Sequence, residues 1–261
     1  MLEKLFKGYD TLIIKWIDEL CPLKRKTKVS TRYCLENICK VLTQNIPWKS
    51  LNPIICHFTT IYKRFILWSK NNVFSKVWTS VIEMYKSKQS LNHFKTLFID
   101  STMVKNHYGT DCIGRNHFDR NRKATKVSII CDINKVPLAS TYYEANRHDA
   151  TTIEDTIKAL KCKIRKNNRY TTTLVGDKGY IINKNRKQEL KRVFKVNLVT
   201  PLRKNMKGRQ NSVLMKDRYV IENVFCRLDK FKRIRNREDR YLTQFISFNE
   251  LAIIIMTIEH L

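Results

Sequence analysis

Three acidic residues of this strongly basic chain have types and positions suited to metal chemistry. Asp100 follows the apolar run 96–99, Asp177 follows the run 173–176, and Glu222 lies inside a helix-like stretch. Singly, an aspartate after a strand is most often a turn residue or a helix cap, and a helical glutamate is usually solvated. Together, three carboxylates supply the oxygen ligands that Mg²⁺ prefers. The pattern predicts a site for a pair of divalent metal ions.

The elements that would position these acids are predicted from the hydrophobic period, which changes near residue 95. Up to about residue 85, apolar residues recur at helical spacing. Beyond it we expect a strand ending at Asp100 and then a hairpin of strands at 126–132 and 137–143. A helix should start near Asp149, with Asp149 or Thr151 as its cap. A strand at 171–177, a helix at 184–192 and a strand at 193–201 should follow. A long helix from about Asp217 and an apolar segment at 248–258 close the chain.

This order of elements matches the ribonuclease-H-like fold, a mixed α/β (α+β) sheet flanked by helices. In that fold the first strand and the strand after the crossover helix are neighbours, so Asp100 and Asp177 should lie side by side. Glu222 borders the apolar face of the following helix, and Arg218 precedes it by one turn. We expect a small all-helical domain at 1–88 and a catalytic domain at 89–261.

The net charge of +28, from 51 Lys+Arg against 23 Asp+Glu, predicts a polyanionic partner, DNA or RNA. No apolar run reaches the roughly 18 residues of a membrane helix, so we expect no membrane association. The eight cysteines contain no C-x-x-C pair, which argues against zinc clusters and a secreted disulfide framework. The run 176–179 lacks P-loop spacing, so no nucleotide cofactor is expected.

The N-terminal helices leave two interpretations open. Two short helices joined by a turn, with Lys63 and Arg64 on the second, are compatible with a helix-turn-helix that inserts its second helix into the DNA major groove. An ordinary helical bundle is the alternative. In either case Lys63 and Arg64 are candidate DNA contacts.

Several segments resemble those of DDE transposases of the IS5 type, within the IS4-like superfamily. The first-aspartate block is Phe98–His107, the segment before the crossover helix is Asn146–Asp149, and the second-aspartate block is Leu174–Tyr180. Arg218 to Glu222 forms the R-x-x-x-E core of the glutamate block. The likeness runs from about residue 30 to the C-terminus. It departs from the family where a lysine is expected seven residues after Glu222, since Asp229 stands there and Lys230 follows.

The resemblance implies a transposase with a helical N-terminal domain that binds the DNA ends. Such an enzyme cleaves DNA at terminal inverted repeats and transfers the 3′-hydroxyl ends into target DNA. Two Mg²⁺ ions, with Mn²⁺ as a substitute, would be bridged by Asp100 and completed by Asp177 and Glu222. One ion activates the attacking hydroxyl and the other stabilises the leaving oxygen. Because both ends are processed together, we expect at least a dimer on DNA.

The resemblance also suggests supporting residues. Lys178, Arg218 and Lys230 are candidate phosphate contacts, and His107 and His148 are expected near the site. The protein would be cytoplasmic and nucleoid-associated in a bacterium, or nuclear or at a viral factory in a eukaryotic or viral setting. Two other functions remain open: a structure-specific nuclease of the ribonuclease-H-like fold, and an inactive DNA-binding derivative of a transposase.

Overall fold

The computed structural model describes residues 1–22, 28–51, 53–90, 93–117, 119–162, 171–202 and 217–261. They form two compact units. The helical unit contains Met1–Tyr85, Asn106–Asp111 and Arg227–Leu261, and the sheet unit contains Lys86–Lys105 and Cys112–Cys226. The first boundary is close to the expected one at residue 88, but the C-terminal segment groups with the N-terminal helices.

In chain order, the described helices are α1 Leu2–Leu5, α2 Asp10–Leu20, α3 Thr31–Gln44, α4 Phe58–Lys70, α5 Val73–Ser87, α6 Ile153–Lys158, α7 Lys184–Val193, α8 Tyr219–Leu228, α9 Lys232–Arg235 and α10 Leu242–Ile258. The strands are β1 Thr96–Asn106, β2 Gly114–Asn116, β3 Arg122–Cys131, β4 Pro137–Glu144, β5 Thr172–Val175, β6 Val196–Val199 and β7 Asn236–Arg237.

The C-terminal helix α10 is the centre of the helical unit. It is predominantly apolar and is buried along most of its length, so it requires other helices around it. Phe248 of α10 stacks on Phe65 of α4 with ring centroids 4.4 Å apart, and Trp48 packs against both rings. This packing explains why the C-terminal segment belongs to the helical unit. No helix in the described ranges has both the length and the apolarity to cross a membrane.

The helices α3 and α4 do not form the helix-turn-helix considered from the sequence. They are separated by residues 45–57, whereas the turn of that motif has about three or four residues. The connection between α4 and α5 is short and contains Asn72 at a left-handed φ of 52°. The helical-bundle interpretation therefore describes this unit better.

The sheet unit has the mixed α/β architecture expected from the sequence. Its strands follow the order β4-β3-β1-β5-β6, and β2 also pairs with β3. Antiparallel pairing joins β1 to β3 and β3 to β4, whereas β1, β5 and β6 run parallel. Each parallel connection contains a helix, α6 or α7, as parallel pairing requires. The strands β4, β3 and β1 pair antiparallel, and β5 and β6 then continue the sheet parallel to β1. This is the predicted ribonuclease-H-like topology.

Several elements differ in length from their prediction, and β6 is one of them, since it spans Val196–Val199 instead of 193–201. β1 continues past Asp100 to Asn106, because residues 101–105 pair with β3 although they are too polar to show a buried pattern. The crossover helix α6 ends at Lys158, and its predicted start at Asp149 is a separate 3-10 turn. Ile164, expected on its apolar face, lies outside the described residues. The helix expected from Asp217 is α8, which has only ten residues.

Candidate active site

Parallel pairing of β1 with β5 brings Asp100 and Asp177 to one place. Phe98 pairs with Val175, and each aspartate lies two residues beyond its member of this pair. Side chains two residues apart in a strand share a face. Asp177 caps the turn Lys178–Tyr180, where its Oδ1 accepts a hydrogen bond of 2.7 Å from the amide of Gly179. The predicted neighbourhood of the two central strands is thus present in the fold.

The environment of Asp100 raises the pKa of its carboxyl from the usual 3.8 to about 6. Burial is the main cause, and the nearby carboxylates of Asp177 and Asp149 act in the same direction. The amide of Ser101, which donates a hydrogen bond of 2.8 Å to Asp100 Oδ1, and the guanidinium of Arg218 lower the pKa. A buried carboxyl with a raised pKa beside two further carboxylates is an arrangement found at functional sites.

Arg218 contributes a cationic group beside Asp100. Its Nη2 lies 3.7 Å from Asp100 Oδ2. Its Nε is buried and has no hydrogen-bond acceptor in the described part of the chain. A guanidinium with one nitrogen on a carboxylate and another without an acceptor is suited to hold a phosphate oxygen.

Glu222 is placed one turn beyond Arg218, in the first turn of α8, and its side chain is exposed. The structure does not assemble the complete predicted triad. Within the described residues, no group of three or more His, Cys, Asp or Glu side chains is arranged to hold a metal ion. Asp100 and Asp177 are brought together, and their carboxylate oxygens suit Mg²⁺ or Mn²⁺ better than zinc.

A further carboxylate at this site, Asp149, was expected only as a helix cap. Its Oδ1 accepts hydrogen bonds from Ser101 Oγ at 2.6 Å and from Lys126 Nζ at 2.8 Å. Its Oδ2 lies only 2.8 Å from where a Cβ on Gly179 would stand, so the carboxylate packs closely against the turn after Asp177. Asp149 thus touches the residue after Asp100 and the turn that contains Asp177.

The sequence contains a signal for this pair. Lys126 interrupts a strand whose residues 124–131 are all buried, and a lysine in such a strand requires an anionic partner. Its side chain is only 3% exposed, and Nζ also donates to the carbonyl of Arg147.

The two histidines expected near the site make local contacts. His148 is exposed and caps the 3-10 turn that follows, because its Nδ1 accepts a hydrogen bond of 3.2 Å from the amide of Ala150. This cap replaces the one expected from Asp149 or Thr151. His107 belongs to the helical unit, where Nδ1 lies 2.8 Å from Glu238 Oε1.

The predicted DNA contacts differ in exposure. Lys63, Lys178 and Lys230 are exposed, and Lys178 directly follows Asp177. Arg64 is only 7% exposed: its Nη2 donates to the carbonyl of Val29 at 3.3 Å, and its guanidinium lies 5.9 Å from the ring centroid of Trp68. A guanidinium held inside the unit is not displayed to a phosphate. The position of Arg64 therefore favours a structural role over the predicted DNA contact.

Comparison with known proteins identifies the family of the chain. Residues 93–257 match the family model described as a transposase DDE domain. No curated protein matches the sequence. Among solved structures, a piggyBac transposase synaptic complex with hairpin DNA aligns with 13% identity and a TM-score of 0.43, covering 78% of this chain and 51% of that one. This chain therefore spans about half the length of that transposase. Because the family model covers more than half of the chain, including Asp100, Asp177 and Glu222, the protein belongs to the DDE-domain transposases.

Proposed function

We propose that the protein cleaves DNA at terminal inverted repeats and joins the freed 3′-hydroxyl ends to target DNA, as an IS5-type transposase. The observation that carries the proposal is the placement of Asp100 and Asp177 beside each other at the ends of neighbouring parallel strands, where burial raises the pKa of Asp100. Family membership supplies the reaction class.

In this proposal Asp100, Asp177 and Glu222 hold two divalent cations, Mg²⁺ or Mn²⁺. When bound, such ions neutralise developing charge and lower the pKa of the attacking hydroxyl. Glu222 would complete the ligand set from the first turn of α8, adjacent in sequence to the turn that presents Arg218. Arg218 and the exposed Lys178 would hold phosphate oxygens of the bound strand, and so fix the scissile phosphate against the carboxylates.

DNA as the partner is supported by the net charge of +28 and by the family. Lys63 and Lys230 would add contacts to the phosphate backbone. We further propose that the protein acts as at least a dimer on DNA, since two ends must be processed together.

The test is cleavage of a supercoiled plasmid that carries the DNA flanking the reading frame, with Mg²⁺, with Mn²⁺ and with EDTA. We expect cleavage only with a divalent metal. Asp100→Asn, Asp177→Asn and Glu222→Gln should each reduce its rate at least about a hundredfold, because metal ions supply several kcal/mol of charge stabilisation. Asp119→Asn is a matched control, since the Asp119 side chain is 46% exposed and its ion pair among the described residues is with the neighbouring Arg122. If Asp100→Asn cleaves as fast as the wild type, the catalytic assignment is wrong.

Strand transfer separates the proposal from the two other functions. A duplex with a pre-cut 3′ end should be joined covalently to a target plasmid. Cleavage without joining would indicate a nuclease of the same fold. DNA binding without metal-dependent cleavage would indicate an inactive derivative.

A further inference from the structure

A cavity of about 680 Å³ opens on the helical unit, between α4, the start of α10 and Asp111. We call it the tyrosine pocket and define it by Tyr62, Lys63, Lys70, Tyr241 and Gln244, all of which line it. Its residues all belong to the helical unit, whereas Asp100 and Asp177 belong to the sheet unit.

Gln244 is the most informative residue of the tyrosine pocket. It is only 7% exposed, and its side-chain amide has no hydrogen-bond partner among the described residues. Its amide nitrogen and oxygen are not enclosed by the protein, so they are open to hydrogen bonding by a group in the pocket. Glutamine offers one donor and one acceptor side by side, which is the arrangement that pairs with the edge of a nucleobase.

The rim of the tyrosine pocket is positively charged. Lys63 and Lys70 are separated by two turns of α4, so they lie on the same side of the helix, and both are exposed. Neither forms an ion pair with a described acidic residue. Asp111 does not neutralise them, because its carboxylate accepts hydrogen bonds from Arg237 and from the amide of Leu242. Two free ammonium groups on one rim suit a phosphate.

The two tyrosines provide flat surfaces of the size of a base. Tyr241 is 50% exposed, and Arg240 lies 5.7 Å from its ring centroid. Tyr62 is half-buried and is held in place by an edge contact with Trp48, at 5.1 Å between centroids. Aromatic rings of this kind stack on bases without regard to sequence. A duplex keeps its bases inside its own stack, so only an unpaired nucleotide presents a base face to a cavity.

We propose that the tyrosine pocket binds one unpaired nucleotide of a DNA strand. Its base would stack on Tyr241 or Tyr62 with its edge on Gln244, and its phosphate would lie against Lys63 and Lys70. This inference rests on the proposed function in one respect, because DNA breakage is what exposes unpaired nucleotides to the protein.

The test uses the full-length protein and a single-stranded oligonucleotide carrying one 2-aminopurine, in EDTA so that no cleavage occurs. Stacking of the 2-aminopurine on a tyrosine should quench its fluorescence. Tyr241→Leu should remove most of the quenching and weaken binding about tenfold, as expected for the loss of one base–aromatic stack. Lys63→Ala with Lys70→Ala should weaken binding and reduce its salt dependence. Gln244→Leu should weaken binding to the oligonucleotide more than binding to a duplex.

Matched controls are Tyr108→Leu and Lys76→Ala, since both residues are exposed on the helical unit and neither lines the pocket. Equal quenching and affinity in Tyr241→Leu and Tyr108→Leu would overturn the inference. Tyr241 is exposed, so its variant keeps the test valid even if Gln244→Leu fails to fold. If the pocket variants bind the oligonucleotide as tightly as the wild type while the protein cleaves DNA, the inference about the pocket is wrong and the proposed function is unaffected. Pocket-dependent binding without any cleavage would refute the proposed function alone.

Discussion

The raised pKa of the Asp100 carboxyl makes the stability of the folded protein depend on pH. Burial raises its pKa to about 6, whereas the pKa of an aspartate carboxyl in an unfolded chain is about 3.9. Between these values the folded protein holds a proton that the unfolded chain has released. The stability associated with this proton is fully present below about pH 4 and is lost as the pH rises through about 6.

The first prediction follows from this loss of stability as the pH rises. In EDTA, Asp100→Asn should be more stable than the wild type by about 1 to 2 kcal/mol at pH 8, because about two pKa units correspond to about 2.7 kcal/mol and partial exposure reduces the effect. At pH 4 the difference should vanish. Urea unfolding at pH 4, 6 and 8 measures it, with Asp119→Asn as the exposed control. A pH-independent difference would contradict the assigned environment.

The ion pair between Lys126 and Asp149 gives a second prediction. Lys126→Met leaves the Asp149 carboxylate without its buried cation, so we expect the free energy of unfolding to fall by about 2 to 4 kcal/mol. The double variant with Asp149→Asn no longer has the unpaired charge, so its loss in the free energy of unfolding should be smaller than the sum of the losses in the two single variants. DNA cleavage should also slow, because Asp149 contacts Ser101 and the turn after Asp177. Lys123→Met on the same strand is the control, since Lys123 is exposed. Equal effects of the two lysine changes would argue against the pair.

At the scale of elements, regular apolar spacing was sufficient to predict that Asp100 and Asp177 lie at the ends of neighbouring strands. The hairpin of β3 and β4 and the strands β1, β5 and β6 were visible as apolar runs bounded by turn residues, and their order fixed the pairing of β1 with β5. The position of Asp100 beside Asp177 followed from this order alone. A parallel pair with an intervening helix leaves few alternative arrangements.

The remaining features depend on contacts that a local pattern does not contain. Residues 101–105 of β1 are paired with β3 but only partly buried, so their polar sequence resembles that of a loop. Asp149 acquires its partners from Ser101 and Lys126, which are distant in sequence. The exposure of Glu222 could not be predicted either, since a residue bordering an apolar stripe can face the protein or the solvent.

The third prediction concerns α10 as the core of the helical unit. Phe248→Ala should lower the free energy of unfolding by about 3 to 5 kcal/mol, because it removes a buried ring that stacks on Phe65 and leaves a cavity. Leu67→Ala on α4 should change stability far less, since Leu67 is 44% exposed. Urea unfolding followed by tryptophan fluorescence measures both. Similar losses in the two variants would show that α10 is not the packing centre.

At the scale of the whole molecule, the division into units is discontinuous in sequence. The chain leaves the helical unit after Tyr85, and its C-terminal segment Arg227–Leu261 returns to it. The sequence suggested a simple boundary near residue 88, because composition and period change there. The return of the C-terminus was not visible, since α10 has the same apolar character as a buried helix of either unit.

The net charge of +28 gives the last prediction, which concerns DNA binding by the whole chain. Each Lys or Arg that neutralises a phosphate releases a condensed counterion, so the logarithm of the binding constant should fall linearly with the logarithm of the salt concentration. For about six to ten contacts, affinity for a random duplex should fall about 10³- to 10⁵-fold between 50 and 200 mM salt. Fluorescence anisotropy in EDTA measures it, and Lys178→Ala should make the slope shallower by about one contact. A peptide nucleic acid duplex of the same sequence, which has no phosphates, should not bind. Salt-independent binding, or equal binding of the uncharged duplex, would show that the basic surface does not serve to hold DNA.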